Sequence, residues 1–208
     1  MLIRALTLSL IPAAMSTAAV VTFSGPQSQS GTGFGSILNV LSLQNRPEES
    51  GAVIRQNGMD VLLGDATQQS QTRTVAEYLG LGYTPEGFGI IFNINDPGSS
   101  PNVTLQEFEV LFYDAADTLL FTAQYSGPAL NLTPVNQGTG GSGYLFDVDF
   151  TPAQLAFFSD PGNRIGLRVT TPILSSAAGA ENFYLIPAPG SAALLGLAAA
   201  ASFRRRRR

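Results

Sequence analysis

Along the chain, short apolar and β-branched runs recur between Gly, Pro, Asn and Asp residues. Strands are predicted at Val20–Phe23, Ile37–Leu43, Val53–Gln56, Met59–Leu63, Phe88–Ile94, Val103–Tyr113, Thr118–Tyr125, Tyr144–Phe150, Ile165–Thr170 and Asn182–Leu185. Strict alternation marks two of them. Phe108, Val110 and Phe112 share one face with Glu107 and Glu109 opposite, and Phe146, Val148 and Phe150 oppose Asp147 and Asp149. Such strands have one buried and one wet face. Asn57-Gly58 between two runs signals a type I′ hairpin, and Asp114–Asp117 a longer turn. One short helix is expected at Thr151-Pro152-Ala153-Gln154, which offers a capping hydroxyl, Pro at the first helical position and Gln three residues past the cap. The stretches Gly64–Arg73 and Gly127–Gly143 are long and polar and predict loops. The expected fold is all-β, an antiparallel β-sandwich or jelly-roll-like body with one short helix.

The pattern breaks at both ends. Over residues 1–18, Arg4 precedes an apolar stretch and Ser16-Thr17-Ala18 supplies small residues, the order of a secretory signal helix. A cut after Ala18 is expected, with Ala19 as the alternative. At the other end, Pro187-Ala188-Pro189 leads into Gly190–Phe203, which carries no charge, and then into Arg204, Arg205, Arg206, Arg207 and Arg208. A helix over those 14 uncharged residues would be about 21 Å long, short of a hydrocarbon core of about 30 Å. Snorkelling arginines and local thinning narrow the gap. Five consecutive arginines resist translocation and hold the terminus in the cytoplasm. Three regions follow: signal peptide 1–18, body 19–186, and tail 187–208 with a short transmembrane helix.

Composition sharpens this picture. The 208 residues are 44% hydrophobic and 12% charged, with 22 Gly and 13 Pro. There is no Cys, His, Trp or Lys; all 11 basic residues are Arg. Cys nucleophiles, His bases, His/Cys zinc sites, disulfides and lysine chemistry are therefore excluded. Between the two ends, five arginines face all 15 acidic residues, a net charge of −10. Such a body repels phosphate backbones, so no nucleic-acid partner is expected.

The Pro-Ala-Pro-Gly of residues 187–190, then Ser191–Leu197, then the Arg run, resembles the PEP-CTERM sorting signal of Gram-negative bacteria. Ala188 stands where that family usually has Glu. The resemblance covers residues 185–208. It implies export through signal peptidase and the general secretion machinery, transient anchoring in the inner membrane, cleavage by an exosortase-type membrane transpeptidase, and a final place at the cell envelope, outer surface or matrix, linked to exopolysaccharide. The stretch from Thr151 to Leu185 also resembles the end of many bodies in that family.

Chemistry in the body has thinner support. Glu107/Glu109 and Asp147/Asp149 are carboxylates two residues apart, at a backbone separation of about 6.5–7 Å that overlaps the spacing of glycosidase pairs. The six tyrosines could stack on sugars. Asn93, Asn95 and Asp96 before Pro97-Gly98 offer oxygen ligands to calcium. Against these stand ordinary solvated faces and turn-forming Asx residues. The expectation is a non-enzymatic surface or matrix protein with no required cofactor. The alternative is a carbohydrate-binding module delivered by the same route.

Overall fold

In the computed structural model, the described residues are 18–27, 37–45, 48–94, 103–135, 143–174 and 180–187. They are mostly strand. Chain order gives β1 (Ala19–Gln27), β2 (Leu38–Leu43), β3 (Glu48–Glu49), β4 (Gly51–Gln56), β5 (Met59–Gly64) and β6 (Arg73–Thr74), then helix α1 (Val75–Gly80). There follow β7 (Phe88–Ile94), β8 (Val103–Leu105), β9 (Phe108–Tyr113), β10 (Leu119–Tyr125), β11 (Leu130–Leu132) and β12 (Gly143–Asp149). Helix α2 (Pro152–Leu155), β13 (Arg164–Val169), β14 (Ile173–Leu174) and β15 (Glu181–Pro187) complete the body.

One large sheet runs β2-β15-β7-β12-β1-β10-β9-β13-β4-β5, with β6 alongside β13, and a small sheet runs β11-β8-β14-β3. The large sheet curls. Its halves meet through aromatic rings: Phe108 of β9 lies 5.1 Å from Phe146 of β12 and 5.4 Å from Phe183 of β15, and Phe88 of β7 lies 5.8 Å from Phe112 of β9. Phe88, Phe108, Phe112, Phe146 and Phe183 are all fully buried. The curl brings its two edges together. The segment after β5 hydrogen-bonds to β2, with Thr67 N donating to Ser42 O (2.8 Å) and Gln71 N to Val40 O (3.0 Å). A strand edge that would otherwise recruit other chains is thereby covered.

The expected antiparallel sheet is mixed. β1 pairs with β12 antiparallel but with β10 in parallel, Ala19 opposite Ala123 and Val20 opposite Gln124. Nothing in the local pattern of either strand encodes which distant strand it will flank, so alternation could not foresee this. The expected single strand Val103–Tyr113 is two, because Gln106-Glu107 breaks it and sends β8 into the small sheet. One expected helix becomes two. The missed one, α1, carries its own capping box: Thr74 Oγ1 accepts from Glu77 N (3.0 Å) and Glu77 accepts from Thr74 N (2.7 Å). The expected box at Thr151 is present, Thr151 Oγ1 accepting from Gln154 N and Gln154 Oε1 accepting from Thr151 N. The Asn57-Gly58 hairpin also forms, with positive φ of 52° and 78° and Gln56 paired to Met59. The signal helix, the transmembrane helix and the loop residues 136–142 lie outside the described residues. No helix among the described residues is long and apolar enough to cross a membrane.

The registers give the body two distinct ends. β1 starts beside the end of β12 (Val20 opposite Asp149), β12 ends beside the start of β7 (Asp147 opposite Gly89), and β7 starts beside the end of β15 (Gly89 opposite Ile186). Both helices sit at this end: α1 follows β6, whose Thr74 lies opposite Arg164 at the start of β13, and α2 follows β12. Aromatic side chains fill the space beneath them, with Tyr78 of α1 5.2 Å from Phe88 and 5.8 Å from Phe158. The small sheet lies at the opposite end, following β2, β10 and β13 where those strands finish.

Candidate functional site

Asp147 and Asp149 stand on one face of β12, as the alternation requires. Asp149 is exposed, opposite Val20. Asp147 is half-buried between Thr22 of β1 and Gly89 of β7. Its Oδ2 accepts a short hydrogen bond from Ser24 Oγ, while Oδ1 is buried without a partner. The pair thus holds one hydroxyl but gathers no further acid, base or cation. Glu107 and Glu109 do not form a pair on one strand, because Glu107 lies in the break before β9. Glu107 instead accepts from Thr171 Oγ1 (3.1 Å) and Glu109 from Arg168 (3.5 Å), which ties β9 to β13 and the segment after it.

The described arginines are all engaged. Arg55 donates to Asp117 (2.9 Å) and Asp60 (3.2 Å), Arg73 to Glu77 (3.3 Å), Arg164 to Thr72 Oγ1 (2.7 Å) and Arg168 to Glu109. They pin loops and hairpins, and none is presented as an anion receptor. The Asp117 carboxyl is held below the usual carboxylate range by the Gly58 backbone N–H and by Arg55. For Glu77, burial pushes upward but the hydrogen bonds from Thr74 and the Arg73 charge outweigh it, so its carboxyl also lies low.

The tyrosines form no sugar platform. Tyr78, Tyr113 and Tyr125 are buried, and Tyr83, Tyr144 and Tyr184 are half-buried. Tyr144 spends its hydroxyl on Thr133 O (2.9 Å) and Tyr125 on Pro128 O (2.9 Å). An open groove of about 380 Å³ lies between Val20–Phe23 of β1 and Gln124–Leu130, where the parallel pairing of β1 with β10 has ended. Neither Asp147 nor Asp149 lines it. Tyr125 lines the groove but none of Glu107, Glu109, Asp147 and Asp149 does, so carboxylates and tyrosines do not converge there as a glycosidase or lectin site requires.

Of the calcium candidates, Asn93 is buried in β7 opposite Asn182 of β15, while Asn95 and Asp96 lie outside the described residues. Among the described residues no group of three or more acidic side chains is placed to hold a metal ion. Asn182 instead joins a buried polar chain that sequence reasoning missed. It accepts from Ser42 Oγ, which accepts from Asn39 Nδ2 (2.8 Å), while Ser42 N donates to Ser70 Oγ (3.0 Å). This chain fastens the 66–71 segment across β2 to β15, and its role is to close the sheet.

At the two ends of the chain, Ala18 is exposed and Ala19 is buried at the head of β1. Pro187 is the last residue of β15, opposite Phe88, and Ala188, Pro189, Gly190 and Arg204–Arg208 lie outside the described residues. No protein-family model, curated protein or solved structure matches the chain.

Proposed function

We propose that this chain is an exported, non-enzymatic surface or matrix protein whose C-terminal tail is a sorting signal for an exosortase-type membrane transpeptidase, as the PEP-CTERM resemblance implies. In this reading the curled sheet is a β-sandwich body, and it works at the envelope in contact with exopolysaccharide. The observation that carries the reading is the ordered tail: a proline-bracketed motif at 187–190, 14 uncharged residues, then five arginines. The body is consistent with it. Export needs no disulfides here, since the chain has no Cys. Among the described residues β1 starts at Ala19 and β15 runs to Pro187. Ala19 is buried and pairs with Ala123 of β10, so a cut after Ala18 leaves the first strand whole, and a cut after Ala19 removes a paired core residue.

The carbohydrate-binding alternative has no comparable observation behind it, because its tyrosines are buried or half-buried and its carboxylates stand apart from the groove. Replacing Arg204–Arg208 by Ser tests the sorting reading. Loss of the charge barrier lets the tail pass through the bilayer, so processing in the native host should fall at least tenfold and the unprocessed chain should appear in the medium. Unchanged processing of the Ser variant would reject the reading.

A further inference from the structure

The strand registers place Ala19 and Pro187 at one end of the body, on strands separated only by β12 and β7. Three strand spacings put them about 14 Å apart. The segments that the sequence assigns to a membrane therefore both leave the body from the same end.

That end is also where the exposed aliphatic side chains collect. Among the described residues eight large hydrophobics are exposed, and six lie here: Val20, Met59, Leu79, Leu81, Leu119 and Leu120. The registers locate them. Leu119 lies opposite Tyr113, which lies opposite Arg164 at the start of β13; Met59 follows the hairpin turn at the end of β4; Leu79 and Leu81 close α1. Met59 is 64% exposed, Leu119 46% and Leu120 42%. The other two, Leu63 and Leu174, lie toward the small sheet.

We propose that this end is a bilayer-facing surface, seated on lipid while the tail is inserted; the proposal rests on the reading of residues 190–203 as a membrane segment. Only Ala188, Pro189 and Gly190 separate Pro187 from the rest of the uncharged run. Three residues span at most about 11 Å, so an inserted tail draws this end of the body against the headgroups. The side chains there suit such contact. Asp60, Asp117 and Glu77 there are paired with Arg55, Arg164 and Arg73, whereas Glu86, Asp114, Asp149 and Asp160 at the same end make no ion pair among the described residues, so the aliphatic side chains stand among carboxylates that stay at the headgroup level. The net acidity of the body opposes free binding to anionic lipid, so the contact depends on the tether and ends when the tail is cut.

The chain has no Trp, so a single introduced Trp is a unique probe. The full chain carrying Met59→Trp, Leu120→Trp or Leu174→Trp is reconstituted into phosphatidylcholine vesicles with brominated acyl chains. Emission from the Met59→Trp and Leu120→Trp chains should be quenched at least twofold relative to unbrominated vesicles, and that from Leu174→Trp should not. Met59 sits on an exposed hairpin, so its variant keeps the test open if Leu120→Trp fails to fold. Equal quenching at all three positions, or none in chains that float with the vesicles, overturns the proposal. A chain that lacks residues 1–18 and stops after Pro187 separates the two ideas. If it floats as well as the full chain, the tail reading fails, whatever the quenching shows.

Discussion

Gly64 shows how one position constrains the closure of the sheet. It ends β5 at φ +61°, and a Cβ there would lie 2.3 Å from Ser50 O. No rotamer relieves a clash with backbone, and the left-handed conformation adds its own cost. Gly64→Ala should destabilise the body by about 2 kcal/mol or more, read as a fall in the urea midpoint. Gly58→Ala, with φ +78° but open space around it, should cost only about 1 kcal/mol. Titration is also set residue by residue. With no His, Cys or Lys, the body lacks the side-chain types whose ordinary pKa lies between those of carboxylates and tyrosine. Burial raises the pKa of Tyr78, with Tyr83 and Glu86 adding to the shift; burial likewise raises Tyr83, Tyr125 and Tyr184, and raises Tyr113 against the lowering effect of Arg55 and Arg168. A raised folded pKa means that the folded state holds its protons while the unfolded chain loses them. Their contribution is therefore whole below about pH 10 and falls as pH rises beyond it. Tyr78→Phe should flatten that alkaline fall in urea titrations. The low carboxyls of Glu77 and Asp117 act in the opposite sense, stabilising above about pH 4 and losing their effect as pH drops below it.

At the scale of elements, the two capping boxes make a controlled pair. Thr74→Ala and Thr151→Ala should each cost about 1 kcal/mol. The cost at Thr74 should be larger, because Glu77 also binds Arg73, and α1 carries Tyr78 against Phe88. Phe112 contacts Phe88, Phe121, Phe150 and Phe157 at centroid distances of 5.8, 4.5, 5.5 and 5.1 Å. Phe112→Ala should therefore lose about 3–5 kcal/mol and scatter the cluster beneath the helices, seen as loss of near-ultraviolet circular dichroism.

What could be read from the sequence at this scale was what local physics encodes: the Asn57-Gly58 turn, the Asp114 turn, the Thr151 cap and the alternation of β9 and β12. The Thr74 box was equally local. Its Thr-Val-Ala-Glu signal is present in the sequence, at the end of a long polar stretch. The parallel neighbour of β1, the break at Glu107 and the Asn39–Ser42–Asn182 chain depend on which distant strands meet, and no short-range pattern records that. The same reason separates the candidate site's parts. Spacing placed Asp147 beside Asp149, but only the fold reveals that Ser24 claims one of them and that the tyrosines lie buried or half-buried.

For the whole molecule, the account makes the body a cargo and its ends the instructions. A sheet closed on itself and a net acidic body suit a protein that must stay folded and dispersed outside the cell. A cut after Ala18 would leave β1 whole, and a cut beyond Pro187 would leave β15 whole. Mass spectrometry of the mature protein from its native envelope tests this most directly. The account predicts a chain that starts at Ala19 and lacks Arg204–Arg208. A major species with Met1 and the arginine run both in place would contradict it.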